Sequence, residues 1–516
     1  MTPGVQTRGV YQTVRTYALV GLWPVEIRVE ASIRRGTPML LIVGLAAGAA
    51  RECRERIRAA ANRAGLKLPG LRITVNLAPA DLPKTGAAFD LPILIAALAA
   101  AGHFPASSLH RHAFLGELGL DGSIRPVRGI LAVCLGCATD SALDTIVVPA
   151  ANLSEAGGAE GIQVLGANSL SSVVDYLTTG AALEAPPEAL RASHRSESAD
   201  LSDVQGQEGA KRVLEIAAAG GHHLLLLGEP GAGKTMLASR LPGLLPPLNS
   251  AEAVEVTVAY SVSGLLDPGA GLIHDPPFRS PHHSVTIAGL IGGGSGLRPG
   301  EVSLAHRGVL FLDELGEFRP AVLEALRQPL ETGRVRLVRD RGAVTLPGRF
   351  QLVAAMNGCP CGYAASVSGR CVCDPWLIRR YLRRLSGPLL DRIDMTYEVP
   401  AQRWSAEPDG PVGETSATVR SRVAAARRFG HRRGQRPRNA DLATAELRTS
   451  CRLDDEGGSI LAESARRFRL STRSCHQVQR VARTIADLAA VSEIRATDVS
   501  EALTYRRRLG SLSGTA

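Results

Sequence analysis

Stretches of alternating apolar and polar residues open the chain. Thr13–Val20, Val25–Val29 and Leu40–Val43 read as strands, and Leu71–Asn76 as a fourth. Between them, Ala46–Ala64 repeats apolar residues at helical spacing with Arg and Glu on the other face, which predicts an amphipathic helix. Phe89–Ala101 predicts another. Its apolar run, Leu91–Gly102, is the longest in the chain and too short to span a bilayer, so it reads as a core helix. Residues 181–199 lose this periodicity and are rich in Ala, Pro, Glu, Ser and Arg, the pattern of a linker. Leu224–Leu227, Val309–Leu312 and Phe350–Asn357 are brief apolar runs that read as buried strands. Pro320–Leu330 predicts a helix, Val335–Leu346 a hairpin bearing Arg336, Arg339 and Arg341, and Leu470–Leu488 a helix capped by Ser471.

Candidate chemistry sits where the buried runs end. Leu224–Leu227 passes directly into Gly228-Glu229-Pro230-Gly231-Ala232-Gly233-Lys234-Thr235, and Met236–Leu241 reads as a helix start. Strand, glycine-rich turn and helix N-terminus are what a phosphate-binding loop requires. Glycines let successive N–H groups converge on one anion, and the helix dipole adds positive potential. Lys234 then reaches the β- and γ-phosphates of ATP, and the Thr235 hydroxyl ligates Mg²⁺. Val309–Leu312 is followed at once by Asp313 and Glu314. An acidic pair at the end of a buried strand costs desolvation unless a cation is near. Asp313 is expected to hold Mg²⁺ through water, and Glu314 to polarise the attacking water.

The cysteines divide into two groups. Cys359, Cys361, Cys371 and Cys373 have the ligand count of a tetrahedral Zn²⁺ site, with reduced packing thiols as the alternative. Cys134 and Cys137 stand alone in an apolar segment and read as core residues. His282 and His283 have no partner ligand at suitable spacing and read as turn or pore residues.

Composition narrows the class. At 516 residues the chain should hold more than one domain. The N-terminus lacks a basic-then-apolar signal, so a cytoplasmic chain is expected, with its nine cysteines as thiols or metal ligands. Net charge is +10, which permits an anionic partner such as nucleic acid; arginine codon bias is the plainer explanation. Lysine occurs only at 67, 84, 211 and 234, so Lys234 and Lys84 mark places where a compact ammonium is useful.

These motifs together resemble the ComM / YifB family of magnesium-chelatase-like AAA+ ATPases over roughly residues 10 to 510. The resemblance implies an α/β multidomain fold with four parts. Residues 1–180 would be a domain like ribosomal protein S5 domain 2 and the Lon protease domain, and 181–199 the linker. Residues 200–400 would be an AAA+ core with inserted hairpins, and 401–516 a helical lid. A Lon-type site places a nucleophilic Ser where Ala87 and Ala88 stand; without a hydroxyl there is no acyl-enzyme, so a protease is rejected. Lys84 is then a turn-capping cation or an inherited ligand contact.

The resemblance also assigns roles within the core and lid. Asp200–Gln207 resembles the segment that packs near the adenine. Phe278–Ser284, Leu290–Ser295 and Arg298–His306 are too much chain for a simple loop, and imply the inserted hairpin of the clade that holds magnesium chelatase and the MCM helicases. Asn357 is implied as sensor 1, orienting the γ-phosphate or lytic water. Leu385–Asp394 implies Arg392 as an arginine finger for the ATP of a neighbouring subunit. Arg473, on the sensor 2 helix, is implied to contact the nucleotide. Arg420, Arg422, Arg427, Arg428, Arg432, Arg433, Arg436 and Arg438 make the opening stretch of the lid basic. Gly358 stands where the family usually has Pro, and Gln477 where it often has Arg.

The implied function is a homohexameric DNA helicase, driving branch migration in recombination of transforming DNA held in the ring pore, with no membrane partner. Two other classes stay open: a chelatase-type motor acting through a partner protein, and a scaffold that uses nucleotide only to assemble.

Overall fold

The computed structural model describes residues 10–84, 86–187, 199–267, 269–294, 296–339, 342–364, 370–401, 413–434, 436 and 438–506. Two large sheets organise it. The first is a mixed seven-stranded sheet in the spatial order Met39–Val43, Arg72–Ala78, Trp23–Arg34, Val10–Val20, His112–Phe114, Thr145–Pro149 and Gln163–Ala167. Its founding pair is the Val10–Val20/Trp23–Arg34 hairpin, with Val14 opposite Val29 and Thr16 opposite Ile27. The period-two pattern gives Ile27, Val29, Ala31 and Ile33 one buried face. Asp90–Ala100 covers that sheet and is buried at every position, as expected of a helix apolar all round. Lys84 is buried beside it and donates to the carbonyls of Pro79 and Leu82, a cation closing a turn.

The second sheet is wholly parallel: Phe278–Arg279, Val309–Leu312, Gln351–Met356, Leu224–Leu227, Met395–Glu398. All residues of its three central strands are buried, which is why the sequence there, Gln351 apart, is apolar throughout instead of alternating. Parallel neighbours end on the same side. Leu227, Leu312 and Met356 therefore deliver the next residues of three adjacent strands to one rim, where an open α/β sheet binds ligands.

Two small hairpins project from this core. Gly292–Gly293 pairs with Arg298–Pro299, behind a helix Ile287–Ile291 capped by Thr286. Arg334–Arg339 pairs with Gly342–Pro347; Val335, Leu337, Val344 and Leu346 are buried, while Arg334, Arg336 and Thr345 face solvent. Leu22, at the turn of the first sheet's founding hairpin, belongs to the same apolar cluster as Val344 and Leu346. The helices Ile130–Ala138 and Ser250–Ser263 also share a core, which contains Cys134, Cys137 and Val256. C-terminal helices, including Ser416–Arg432 and Thr472–Leu488 (capped by Ser471), pack on Glu208–Gly220.

Three sequence expectations need correction or limits. Pro320–Leu330 is two short helices, Pro320–Glu324 and Arg327–Thr332, rather than one. Pro329 has no N–H to offer Ala325, so the first helix stops and a second restarts with the proline in its opening turn. The expected linker is partly structured, because Glu184 exchanges backbone hydrogen bonds with Gly166. Residues 188–198, Ser295 and Arg341 lie outside the described residues.

Candidate ATPase site

Gly228–Thr235 leaves the end of the Leu224–Leu227 strand and turns into the helix Lys234–Leu244. Gly233 precedes that helix at φ +88°, a conformation that favours glycine. Lys234 points back under the loop: Nζ donates to Gly228 O (2.9 Å), Glu229 O (2.8 Å) and Asn357 Oδ1 (3.0 Å). Burial lowers its pKa, against the opposing pull of Asp313 and Glu229. Thr235 Oγ1 donates to Asp313 Oδ2 at 2.6 Å, though 78 residues separate them. Lys234, Thr235, Asp313 and Asn357 thus meet where three parallel strands end. Two hard oxygen donors, Thr235 in the first turn of a helix and Asp313 just past a strand end, fit a magnesium ion, which would replace the proton they now share.

Glu314 adopts φ +51°, a left-handed conformation unusual for a residue with a Cβ. Its carboxylate stands 3.4 Å from His283 Nδ1. The His283 ring lies 4.0 Å from that of His282 and edge-on to the buried Phe318. Sequence spacing read His283 as a turn or pore residue; tertiary structure sets it against the acidic pair. No short-range signal could reveal this contact.

Arg392 and Arg473 are elsewhere. Both line a cavity of about 260 Å³ with Glu331, Asp394, Gln477 and Arg480, and none of Gly228–Thr235 borders it. Arg473, implied by the resemblance to contact the nucleotide, is thus set apart from the loop of its own copy. The helix that carries Arg473 packs at the opposite end of the strands, where Gln477 Nε2 donates to Asp391 O at 2.8 Å. Gln477, which stands where the family often has Arg, is buried and tied to this segment. Arg392 is itself buried, donating to Pro388 O and Glu331. Burial, then the charges of Arg473 and Arg327, lower its pKa.

Asp394 was overlooked by sequence reasoning. It accepts from the backbone N–H of His223 (3.0 Å), just before the Leu224–Leu227 strand, and from Gln477 Nε2 (3.2 Å). Burial pushes its carboxyl up, but hydrogen bonding and charge from His222, with His223, outweigh this and set it at about 2. The lid arginines are largely structural. Arg422 pairs with Glu414 and Glu215, Arg433 with Asp487 and Arg438 with Asp441, while Arg427 donates to the last-turn carbonyls of Glu208–Gly220. Asp200 accepts from the backbone N–H of Ser416, fastening the start of the core to the first lid helix.

Cys359, Cys361, Cys371 and Cys373 come together, their sulfurs all within 4.8 Å of one another. The Tyr363 N–H, ahead of other influences, lowers the Cys361 thiol to about 6. A compact set of four thiols, one of them easily deprotonated, fits a soft cation such as Zn²⁺.

Comparison with known proteins adds relatives to this geometry. Residues 200–406 match the family described as magnesium chelatase, subunit ChlI; residues 29–152 match subunit ChlI of Mg-chelatase; residues 413–506 match its C-terminal family. The chain is 44% identical over 496 residues to YifB of Escherichia coli, covering 96% of each chain. It is 42% identical over 500 residues to the competence protein ComM of Haemophilus influenzae, covering 96% of this chain and 97% of that one. The magnesium-chelatase 67 kDa subunit of Heliobacterium mobile is 28% identical over 185 residues, 30% of this chain and 28% of that one.

Proposed function

The chain belongs to the magnesium-chelatase-like family that includes ComM and YifB, and on that premise we propose that it is a Mg-ATP-driven ring motor acting on DNA. AAA+ chelatase-like proteins are ATPases and assemble into oligomers, and this chain carries their parallel α/β core. The observation that carries the ATP reading is the meeting of Lys234, Thr235, Asp313 and Asn357 at one rim.

In this reading the amides of Gly228–Gly233 cradle the phosphates, and Lys234 exchanges the Gly228 and Glu229 carbonyls for β- and γ-phosphate oxygens. Thr235 and Asp313 hold Mg²⁺, which when bound neutralises phosphate charge. Glu314 orients the attacking water and Asn357 the γ-phosphate. Arg392 and Arg473 serve the nucleotide of a second copy of the chain; their shared cavity, bordered by none of the loop residues, supports this. Arg392 then leaves Glu331 for the transition-state charge, so a homo-oligomer, in this reading a hexamer, is a condition of turnover.

DNA is the proposed cargo. Support comes from the net charge of +10, from the solvent-facing Arg334 and Arg336, and from the competence role in the ComM name. Successive hydrolysis would move the Arg334–Pro347 hairpin along a phosphate backbone in the pore, extending heteroduplex by branch migration. We take the seven-stranded sheet as an S5 domain 2-like and Lon-like unit, and the cytoplasm as the compartment. Among the described residues no helix is long and apolar enough to cross a membrane. A chelatase-type motor is the second reading, favoured by the family's own description. ATPase assays with and without single-stranded and forked DNA, alongside particle imaging, separate the two. Strong stimulation and six-fold rings are expected; turnover indifferent to DNA points to the chelatase-type motor instead.

A further inference from the structure

The cysteine cluster lies against the phosphate-binding loop. The strand Gln351–Met356 runs into Asn357, and the first ligand, Cys359, follows two residues later. The turn closes with Gly362 N donating to Cys359 O at 3.0 Å and Ala364 N to Cys359 Sγ at 3.3 Å. Gly362 sits at φ +92°, and a Cβ placed there would meet Pro230 Cγ at 2.5 Å and Asn357 Cγ at 3.8 Å. Its bare backbone is therefore packed on the second residue before Ala232, within the loop itself. Gly228 and Glu229, the residues just before Pro230, supply the carbonyls that hold Lys234, whose third bond goes to Asn357. Two short paths thus join the cluster to Lys234, one through Gly362 and Pro230, the other through Asn357.

The sulfur spacing favours a metal. Cys359 and Cys361 are 3.2 Å apart, and Cys371 lies 3.7 Å from each. A tetrahedron with Zn–S bonds of about 2.3 Å would space its sulfurs about 3.8 Å apart. Shared ligation would tie the Cys359–Cys361 turn to the chain at Cys371 and Cys373. Without a cation, weak thiol contacts would stand in for the ligand bonds that tie Cys371 to the turn on which Pro230 rests.

We propose that Zn²⁺ bound by Cys359, Cys361, Cys371 and Cys373 sets the phosphate-binding loop through Gly362 and Pro230, so that nucleotide affinity depends on a metal outside the nucleotide site. The inference rests on the zinc and ATP readings above. Because coupling between two ligands is reciprocal, nucleotide strengthens zinc binding by the same factor that zinc strengthens nucleotide binding.

The test uses the full-length chain, Zn²⁺, and a fluorescent, non-hydrolysable ATP analogue with excess Mg²⁺. Zinc depletion is expected to weaken the analogue's binding at least about fivefold, and added Zn²⁺ to restore it. Competition with a chromogenic chelator should show the analogue raising zinc affinity by a matching factor. Gly362→Ala should keep its zinc and lose analogue affinity, because its Cβ drives into Pro230. Should the depleted chain unfold on circular dichroism, Gly362→Ala and the chelator competition decide. Zinc-bound protein whose analogue affinity is the same in wild type and Gly362→Ala, with no effect of analogue on zinc affinity, overturns the coupling. A chain that takes up no Zn²⁺ overturns the zinc reading, and the coupling with it.

Discussion

Arg392 offers the sharpest test of how the catalytic parts are divided between copies. It shares a cavity with Arg473, and neither Lys234 nor Thr235 lines that cavity. Replacing it with Ala leaves the bonds of Lys234 to Gly228, Glu229 and Asn357 untouched, so nucleotide binding should be nearly unchanged. The fold should tolerate the change. Glu331, the freed partner, is half exposed and regains water, and one member of a crowded cationic group is removed. Hydrolysis should fall by about 10³-fold or more, the scale of a lost arginine finger. Lys234→Ala should be equally dead, for want of nucleotide. Mixing the two inactive variants in equal amounts is then decisive. An interface with Lys234 on one copy and Arg392 on its neighbour arises at about one quarter of positions under random assembly, so about a quarter of wild-type turnover should return if sites fire independently. The assay is steady-state phosphate release after subunit exchange. If mixing restores nothing, or if homogeneous Arg392→Ala protein turns over normally, Arg392 does not act across an interface.

Other expectations follow from single contacts. Glu314→Gln should bind ATP yet lose about 10²–10⁴-fold in turnover, visible as nucleotide retained through gel filtration; ordinary hydrolysis would remove Glu314 from the water-orienting role. His283→Ala, which frees the Glu314 carboxylate, should change kcat more than KM, and a pure KM effect would count against that contact. Zinc analysis of protein purified without chelator should give about one ion per chain, and a content well below that sinks the Cys359–Cys373 site. Asp394, held at about 2, should contribute stability above pH 4 that is lost as pH falls toward its folded value. The stability gap between wild type and Asp394→Asn in urea melts should accordingly narrow by about 1 kcal/mol between pH 5 and pH 3; a gap that widens in acid refutes the depressed carboxyl.

Much of the nucleotide site was legible because its parts are local. The loop Gly228–Thr235, the acidic pair Asp313–Glu314 and the polar end Asn357 each follow a short apolar run, and each run became a central strand. Element types in the first sheet were legible for the same reason: period two and period 3.6 are properties of neighbouring residues. The break at Ala325 was readable in principle from Pro329, but the apolar spacing on either side masked it.

From sequence alone came the elements, the family and the residues able to do chemistry, since propensity, turn chemistry and motif spacing act over a few positions. Tertiary structure alone decided which of those residues meet. Strand order brings Asp313 to Thr235 and Asn357 to Lys234, carries His283 to Glu314, and folds Gly362 onto Pro230. It also takes Arg473 away from the loop and sets it beside Arg392. The physical reason is that a parallel sheet aligns strand ends regardless of how much chain separates them. Proximity there is a property of packing, which no local pattern encodes.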